Sequence, residues 1–193
     1  FKPPVAKAIY TMTRAKKILD TSSGWGDRLT GFYTTPKAEE YVGCDPNGDV
    51  WKKYPDMCKR YERLLGFKGD PIRYYNSEKF ISEGNKKVTI YRLPAEDLPW
   101  ETFDSDFDCA FTSPPYFATE RYGEGGEFED DQSWKKFSEY ESWRDKFFLP
   151  VSEWSYKVLK EGGHCMINIL DPVVKGKRYN ASDDLIDYME KNY

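Results

Sequence analysis

An α/β fold built on a mainly parallel sheet, with helices on both faces, is what this sequence predicts. Three observations carry that expectation. Short apolar runs alternate with stretches of helical spacing along the chain. The runs end in turns rich in acidic, glycine and proline residues, as strands feeding right-handed crossovers do. Finally, 193 residues at 39% hydrophobic and 32% charged suit one domain with its own core, and fit neither a disordered nor a membrane-embedded chain.

The elements follow in order. "PPVAKAIYTM" opens with prolines, tolerated in a first helical turn, and then spaces Val5, Ile9 and Met12 along one face. "KILD" is a short strand that enters the turn "TSSGWG", with a helix from Asp27 to about Thr34. "EYVGC" is a second strand, ending in Asp45, Pro46 and Asn47. Residues 50–67 read as helical in part, with Pro55 at the front. "VTIY" is the third strand, followed by Pro94, Glu96 and Asp97. "FDCAFT" is the fourth, and it runs into Pro114 and Pro115. "TERYGEGGEFEDDQ" reads as a loop. A long amphipathic helix is expected from Tyr140, stopped by Gly162 and Gly163. "HCMINIL" reads as a buried fifth strand in which His164 and Asn168 are structural, and "DDLIDYMEKN" starts a last helix.

Composition narrows the function classes. A net charge of −4 does not suit a protein that coats nucleic acid by charge alone. The charge is uneven: bases prevail up to Lys37, and acids crowd the stretch from Glu96 to Asp131, where Arg121 is the sole base. His164 is the single histidine, which argues against histidine metal sites and histidine-centred triads; no metal is expected. Cys44, Cys58, Cys109 and Cys165 lack metal or redox spacing and read as free thiols. Together with the lack of a signal peptide or a membrane-spanning run, this predicts a cytoplasmic or other reducing intracellular setting and no membrane partner.

In open α/β sheets ligands bind at the carboxyl ends of strands. Four strand ends here carry unusual residues. Gly24 and Gly26 let backbone approach a ligand closely, with Ser22 in the same turn. The third glycine of a dinucleotide fingerprint and the Lys-Ser/Thr of a P-loop are both missing, so a pyrophosphate ligand is disfavoured. Asp45, about 25 residues beyond Asp20, can accept both hydroxyls of a ribose. Asp97, or else Glu96, can accept from an adenine amino group. Together these describe a pocket for an adenosine without phosphate. S-adenosylmethionine fits, with Asp20 placed for its amino group.

The double proline completes the set. Two prolines stop a ladder abruptly and fix a stiff corner. Ser113 and the carbonyls there are acceptors, and Tyr116 beyond them can stack on a flat group. Acceptors held around an exocyclic amine would stabilise positive charge as its nitrogen attacks a methyl group.

"SPPY" at 113–116 resembles the [S/N/D]-P-P-[Y/F/W] motif of the S-adenosylmethionine-dependent DNA amino-methyltransferases, which act on N4 of cytosine or N6 of adenine. "DTSSGWGD" at 20–27 resembles their cofactor loop, and "FKPP" at 1–4 their preceding segment. The resemblance implies a Rossmann-like class I methyltransferase domain over residues 1–193. It implies Ser113, Pro114, Pro115 and Tyr116 as catalytic, and Asp20, Ser22, Gly24, Gly26, Asp45, Glu96 and Asp97 as cofactor-binding. Substrate contact is expected from Tyr116, Phe117, Arg121 and Trp134. Trp143 and Trp154 are expected in the core.

The favoured substrate is an exocyclic amine of a DNA base, cytosine N4 ahead of adenine N6, with S-adenosylhomocysteine as product. The alternatives are an RNA base, a protein glutamine, or a non-catalytic cofactor-binding subunit of a larger methyltransferase. The family's strands beyond the fifth and its target-recognition region have no counterpart here. The fold is therefore expected to be truncated after the fifth strand, or completed by a partner chain.

Overall fold

The computed structural model describes residues 2–122 and 124–193; Phe1 and Gly123, which belong to the "FKPP" stretch and the polar loop, lie outside the described residues. The chain opens with α1 (Pro3–Met12), β1 (Lys17–Asp20), α2 (Asp27–Tyr33) and β2 (Glu40–Cys44). Helices α3 (Gly48–Trp51) and α4 (Tyr54–Leu64) follow, then β3 (Ile72–Tyr75), β4 (Lys79–Glu83), β5 (Lys87–Tyr91) and β6 (Phe107–Thr112). Beyond them come α5 (Ser133–Lys136), α6 (Tyr140–Trp143), α7 (Leu149–Lys157) and β7 (Leu159–Ile167). The small hairpin β8 (Val173–Val174) and β9 (Lys177–Arg178) precedes α8 (Ala181–Asn192).

Seven strands form one sheet in the order β3-β4-β5-β2-β1-β6-β7. The strands from β5 to β7 pair in parallel, while β3–β4 and β4–β5 are antiparallel. From β1 the chain steps outward through β2 to β5, then crosses back to β6 on the other side. That reversal between β1 and β6 is the topological switch point of a doubly wound, Rossmann-like sheet.

Both faces are covered, so alternate residues of one strand enter two different cores. Ile18, Tyr41 and Ile90 pack with Leu29, Phe32 and Tyr54 on the face of α1, α2 and α4. Leu19, Val42 and Ala110 pack with Trp100, Trp143, Phe148 and Val151 on the other. Every residue of β6 is buried, as a central strand requires.

Several sequence expectations are corrected. The buried face of α1 is Ala6 and Tyr10, whereas Met12 is 79% exposed. The β3–β4 hairpin was not expected; β3 is polar and tyrosine-rich, and in β4 the apolar residues Phe80 and Ile81 are adjacent rather than alternating.

The long helix from Tyr140 ends at Lys157, not at the glycines. Residues Arg144–Phe148 take π-helical form just ahead of Pro150, whose missing N–H breaks the regular ladder. Gly162 and Gly163 lie within β7, where the register against β6 shifts. Nor is β7 buried: it is an edge strand paired with β6 alone, and none of its residues is fully covered. The cysteines are free, and Cys44, Cys58 and Cys109 are buried. Among the described residues no helix is long and apolar enough to cross a membrane.

Candidate functional site

A cavity of about 250 Å³ opens at the carboxyl ends of β1, β2, β5 and β6. Ser22, Gly24, Asp45, Glu96, Ser113, Pro115 and Tyr116 line it together. Four strand ends separated by tens of residues thus meet at one wall.

Beneath the first loop lies a buried polar cluster. Asp20 is fully buried and accepts from Arg28 Nε at 2.8 Å, from the Tyr41 hydroxyl at 2.5 Å and from the Ser22 amide at 3.1 Å. Arg28 Nη2 also donates to the Ser22 carbonyl. Burial alone would lower the Arg28 pKa, but the adjoining Asp20 carboxylate wins and raises it. Asp20 therefore does not face the cavity. It is spent on Arg28 and the loop, and the expected contact between Asp20 and a ligand amino group is corrected. Gly26 does not line the cavity either. It caps α2 at φ 84°, and a Cβ there would stand 2.5 Å from Met57 Cε. Gly43 on β2 has a similar reason: a Cβ would meet Ser23 Oγ at 2.3 Å, so its absence lets the loop lie on the sheet.

Asp45 sits at the end of β2 and ties two loops together. Its Oδ2 accepts from the Gly24 amide at 2.8 Å and its Oδ1 from the Asn47 amide at 2.9 Å. Each carboxylate oxygen keeps a further lone pair for a ligand. Burial raises its pKa to about 6, although both amide bonds pull it down. Asn47 caps α3 by accepting from the Asp49 amide.

Beyond β5, Glu96 and Asp97 part company. Glu96 lines the cavity; its Oε1 pairs with Lys136 Nζ at 2.6 Å, while its Oε2 is buried with no hydrogen-bond partner among the described residues. An orphaned buried acceptor needs a donor from what the cavity holds. Asp97 is exposed, lies 3.5 Å from Lys136 and does not line the cavity, because the short 3-10 turn at Ala95–Asp97 points successive side chains apart.

At the end of β6 the SPPY corner closes into a triangle. Ser113 Oγ lies 2.7 Å from Tyr116 Oη, and Asn168 Nδ2 donates to Tyr116 Oη at 2.7 Å and to Ser113 Oγ at 3.2 Å. One hydroxyl hydrogen bridges Ser113 and Tyr116, which leaves the other for a ligand. Asn168 was read as structural. It follows the end of β7, and the strand-end rule that picked out the other four sites applies to it equally. Pro114 is buried and faces a smaller neighbouring cavity with Phe147 and Ser152.

Phe117 is a core anchor rather than a substrate contact. It is 3% exposed and packs against Tyr140, Trp143 and Tyr179. Arg121 and Trp134 do not line the cavity but hold its cover: the guanidinium stacks on the indole at 5.5 Å, and Trp134 Nε1 donates to the Tyr122 carbonyl at 3.0 Å. Trp143 is fully buried, whereas Trp154 is 36% exposed and stacks on Trp100.

The sequence reading missed Trp25, Arg28, Glu120, Tyr122, Asp131, Gln132 and Ser133, all of which line the cavity. Those after Glu120 lie on turns or at the start of the short helix α5, with no periodic pattern to mark them. The cavity is acidic: Asp27, Asp45, Glu96, Glu120 and Asp131 line it, and Arg28 is the sole basic side chain among its described lining residues. Such a wall favours cationic ligands and disfavours phosphate.

No protein-family model and no curated protein matches this sequence. Among solved structures the chain is similar to one titled "Complex structure of Trm1 from Pyrococcus horikoshii with S-adenosyl-L-Methionine", at 22% identity and a TM-score of 0.42. The match covers 70% of this chain and 34% of that one, so it spans about a third of the other protein's length.

Proposed function

We propose that this domain is an S-adenosylmethionine-dependent N-methyltransferase acting on a planar exocyclic amine, with a DNA base, cytosine N4 before adenine N6, as the first substrate to test. The observation that carries this reading is the SPPY corner opening onto an acidic, adenosine-sized recess at the switch point.

The residues present fit the cofactor. Asp45 has acceptors free for the ribose hydroxyls, and the orphaned Glu96 Oε2 is an acceptor for an amino group on the base. The acidic wall suits a ligand that bears a sulfonium and an ammonium and no phosphate. When bound, S-adenosylmethionine supplies an electrophilic methyl: the amine lone pair forms the N–C bond as the S–C bond breaks, leaving S-adenosylhomocysteine and one proton.

The chain's own part is orientation. Pro114 and Pro115 keep the corner stiff, and Asn168 locks the Tyr116 ring by its hydroxyl. Ser113 offers an acceptor to the amine hydrogens, which favours the pyramidal, positively charged nitrogen of the transition state. A duplex base would have to be flipped out to reach this depth.

A protein glutamine side chain is the second reading. It is favoured by Glu120 and Asp131 at the rim, since a carboxylate rim repels a phosphate backbone.

The test offers unmethylated DNA, RNA and a protein extract in parallel with labelled S-adenosylmethionine, followed by digestion and mass spectrometry. Label on N4-methylcytosine or N6-methyladenine that vanishes in Tyr116→Ala is the expected result. Label on protein alone would replace the DNA reading with the glutamine one. No transfer to any pool, in a preparation that binds S-adenosylhomocysteine, would leave a non-catalytic cofactor-binding subunit.

A further inference from the structure

Arg28 is the sole cation among the described residues of an acidic wall, and nothing so far gives it a ligand. Its side chain is only 7% exposed, an expensive place for a guanidinium unless its hydrogen bonds are met. Nε is spent on Asp20, and Nη2 reaches the Ser22 carbonyl. A guanidinium carries five N–H donors in a planar fork. The two on Nη1 have no acceptor among the described residues, and Arg28 lines the cavity beside Thr21, Ser22 and Ser23.

We infer that Arg28 receives the carboxylate of the cofactor's amino-acid tail, an inference that rests on the methyltransferase reading above. The signs are complementary, and the one anion meets the one cation. S-adenosylmethionine has two cationic groups and one anionic group; the cavity has five carboxylates and one guanidinium. The ligand's only anion has a single complementary partner among the described lining residues. Asp20 then acts through Arg28: it fixes the plane of the fork through Nε and balances the buried charge when the cavity is empty. This accounts for an acid at the end of β1 that no ligand can touch.

Calorimetric binding of three ligands tests it without any turnover: S-adenosylhomocysteine, its tail carboxamide, and 5′-methylthioadenosine, which lacks the tail. The intact chain is expected to bind S-adenosylhomocysteine about tenfold to a hundredfold tighter than the carboxamide, the effect of one charge-assisted, bidentate contact. The double variant Asp20→Asn/Arg28→Gln removes both buried charges together. It should bring the two affinities to within about threefold while leaving 5′-methylthioadenosine binding unchanged. Arg28→Lys, which keeps the charge and loses the fork, should narrow the gap in part and serves if the double variant fails to fold.

A gap that persists unchanged in either variant puts the carboxylate elsewhere and overturns the inference, as does the absence of a gap in the intact chain. A parallel loss of 5′-methylthioadenosine binding also overturns it, since Arg28 would then only support the loop. If the intact chain binds none of the three, the cofactor reading itself fails.

Discussion

The two sides of the cavity are built on opposite plans. On the β1–β2 side the polar groups are buried and bonded inward: Asp20 to Arg28 and Tyr41, Asp45 to two backbone amides, Tyr54 to the Gly24 carbonyl. On the cover side, between Glu120 and Lys136, the ion pairs are exposed: Arg121 with Glu124, Lys135 with Glu129, Lys136 with Asp97. Buried pairs are strong because water cannot compete, and exposed ones are weak because it can. One side is therefore preorganised and carries stability. The other is held by weaker, water-exposed pairs.

The largest test of that contrast is Asp20→Ala. It strands Arg28 without its counter-ion, which costs about 3–5 kcal/mol. For a domain of this size the melting temperature should fall by roughly 6–20 °C. A thermal melt that moves by less than about 2 °C would contradict the inward-bonded plan.

Next is the SPPY corner, the proposed catalytic element, which lines the same cavity. Tyr116→Ala should lower methyl transfer by about 10²–10³-fold, as loss of one preorganised transition-state contact does. S-adenosylhomocysteine affinity and melting temperature should stay as they are, because the Tyr116 ring is only half-buried and no core contact is lost. Asn168→Ala, which frees the Tyr116 hydroxyl, should cost transfer about tenfold with the same unchanged affinity.

A pH series sharpens the contrast from the other direction. Asp45 titrates near 6 in the folded chain against an ordinary value of 3.8. The folded state holds that proton more tightly, so this group's contribution to stability declines as pH rises from about 4 to about 6. Ligand binding runs oppositely. On the proposed cofactor reading the ionised carboxylate is the double acceptor, so S-adenosylhomocysteine affinity should weaken as pH falls through about 6. Asp45→Asn should bind more weakly and lose that dependence. An unchanged pH profile in the variant would remove Asp45 from the contact.

The smallest effect is expected on the cover. Lys135→Ala breaks an exposed pair with Glu129 and should leave the melting temperature where it is. A clear destabilisation would mean that the cover is part of the rigid frame after all.

Much of the fold was legible because apolar periodicity is a local property. The strands at Lys17–Asp20, Glu40–Cys44, Lys87–Tyr91 and Phe107–Thr112 announce themselves by short apolar runs, and their ends by glycine, proline or acid. The hairpin of β3 and β4 was silent: the edge strand β3 is mostly exposed, and β4 buries Phe80 with the polar Ser82, which breaks the apolar alternation. The glycines at 162 and 163 read as a helix stop because that use is commoner than a bulge inside an edge strand. Asn168 was legible in principle, by the same strand-end rule as the rest.

By itself, then, the sequence determined the alternation of strands and helices, the four special strand ends and the stiff corner at Pro114 and Pro115. Each depends on the chemistry of neighbouring residues. Only the tertiary structure decided which acid faces the ligand and which serves another side chain. Asp20 and Asp45 look alike as strand-end carboxylates. Arg28, eight residues on in the first turn of α2, claims the first and leaves the second exposed to the cavity. That choice rests on where a guanidinium lies in space, and no spacing along the chain records it.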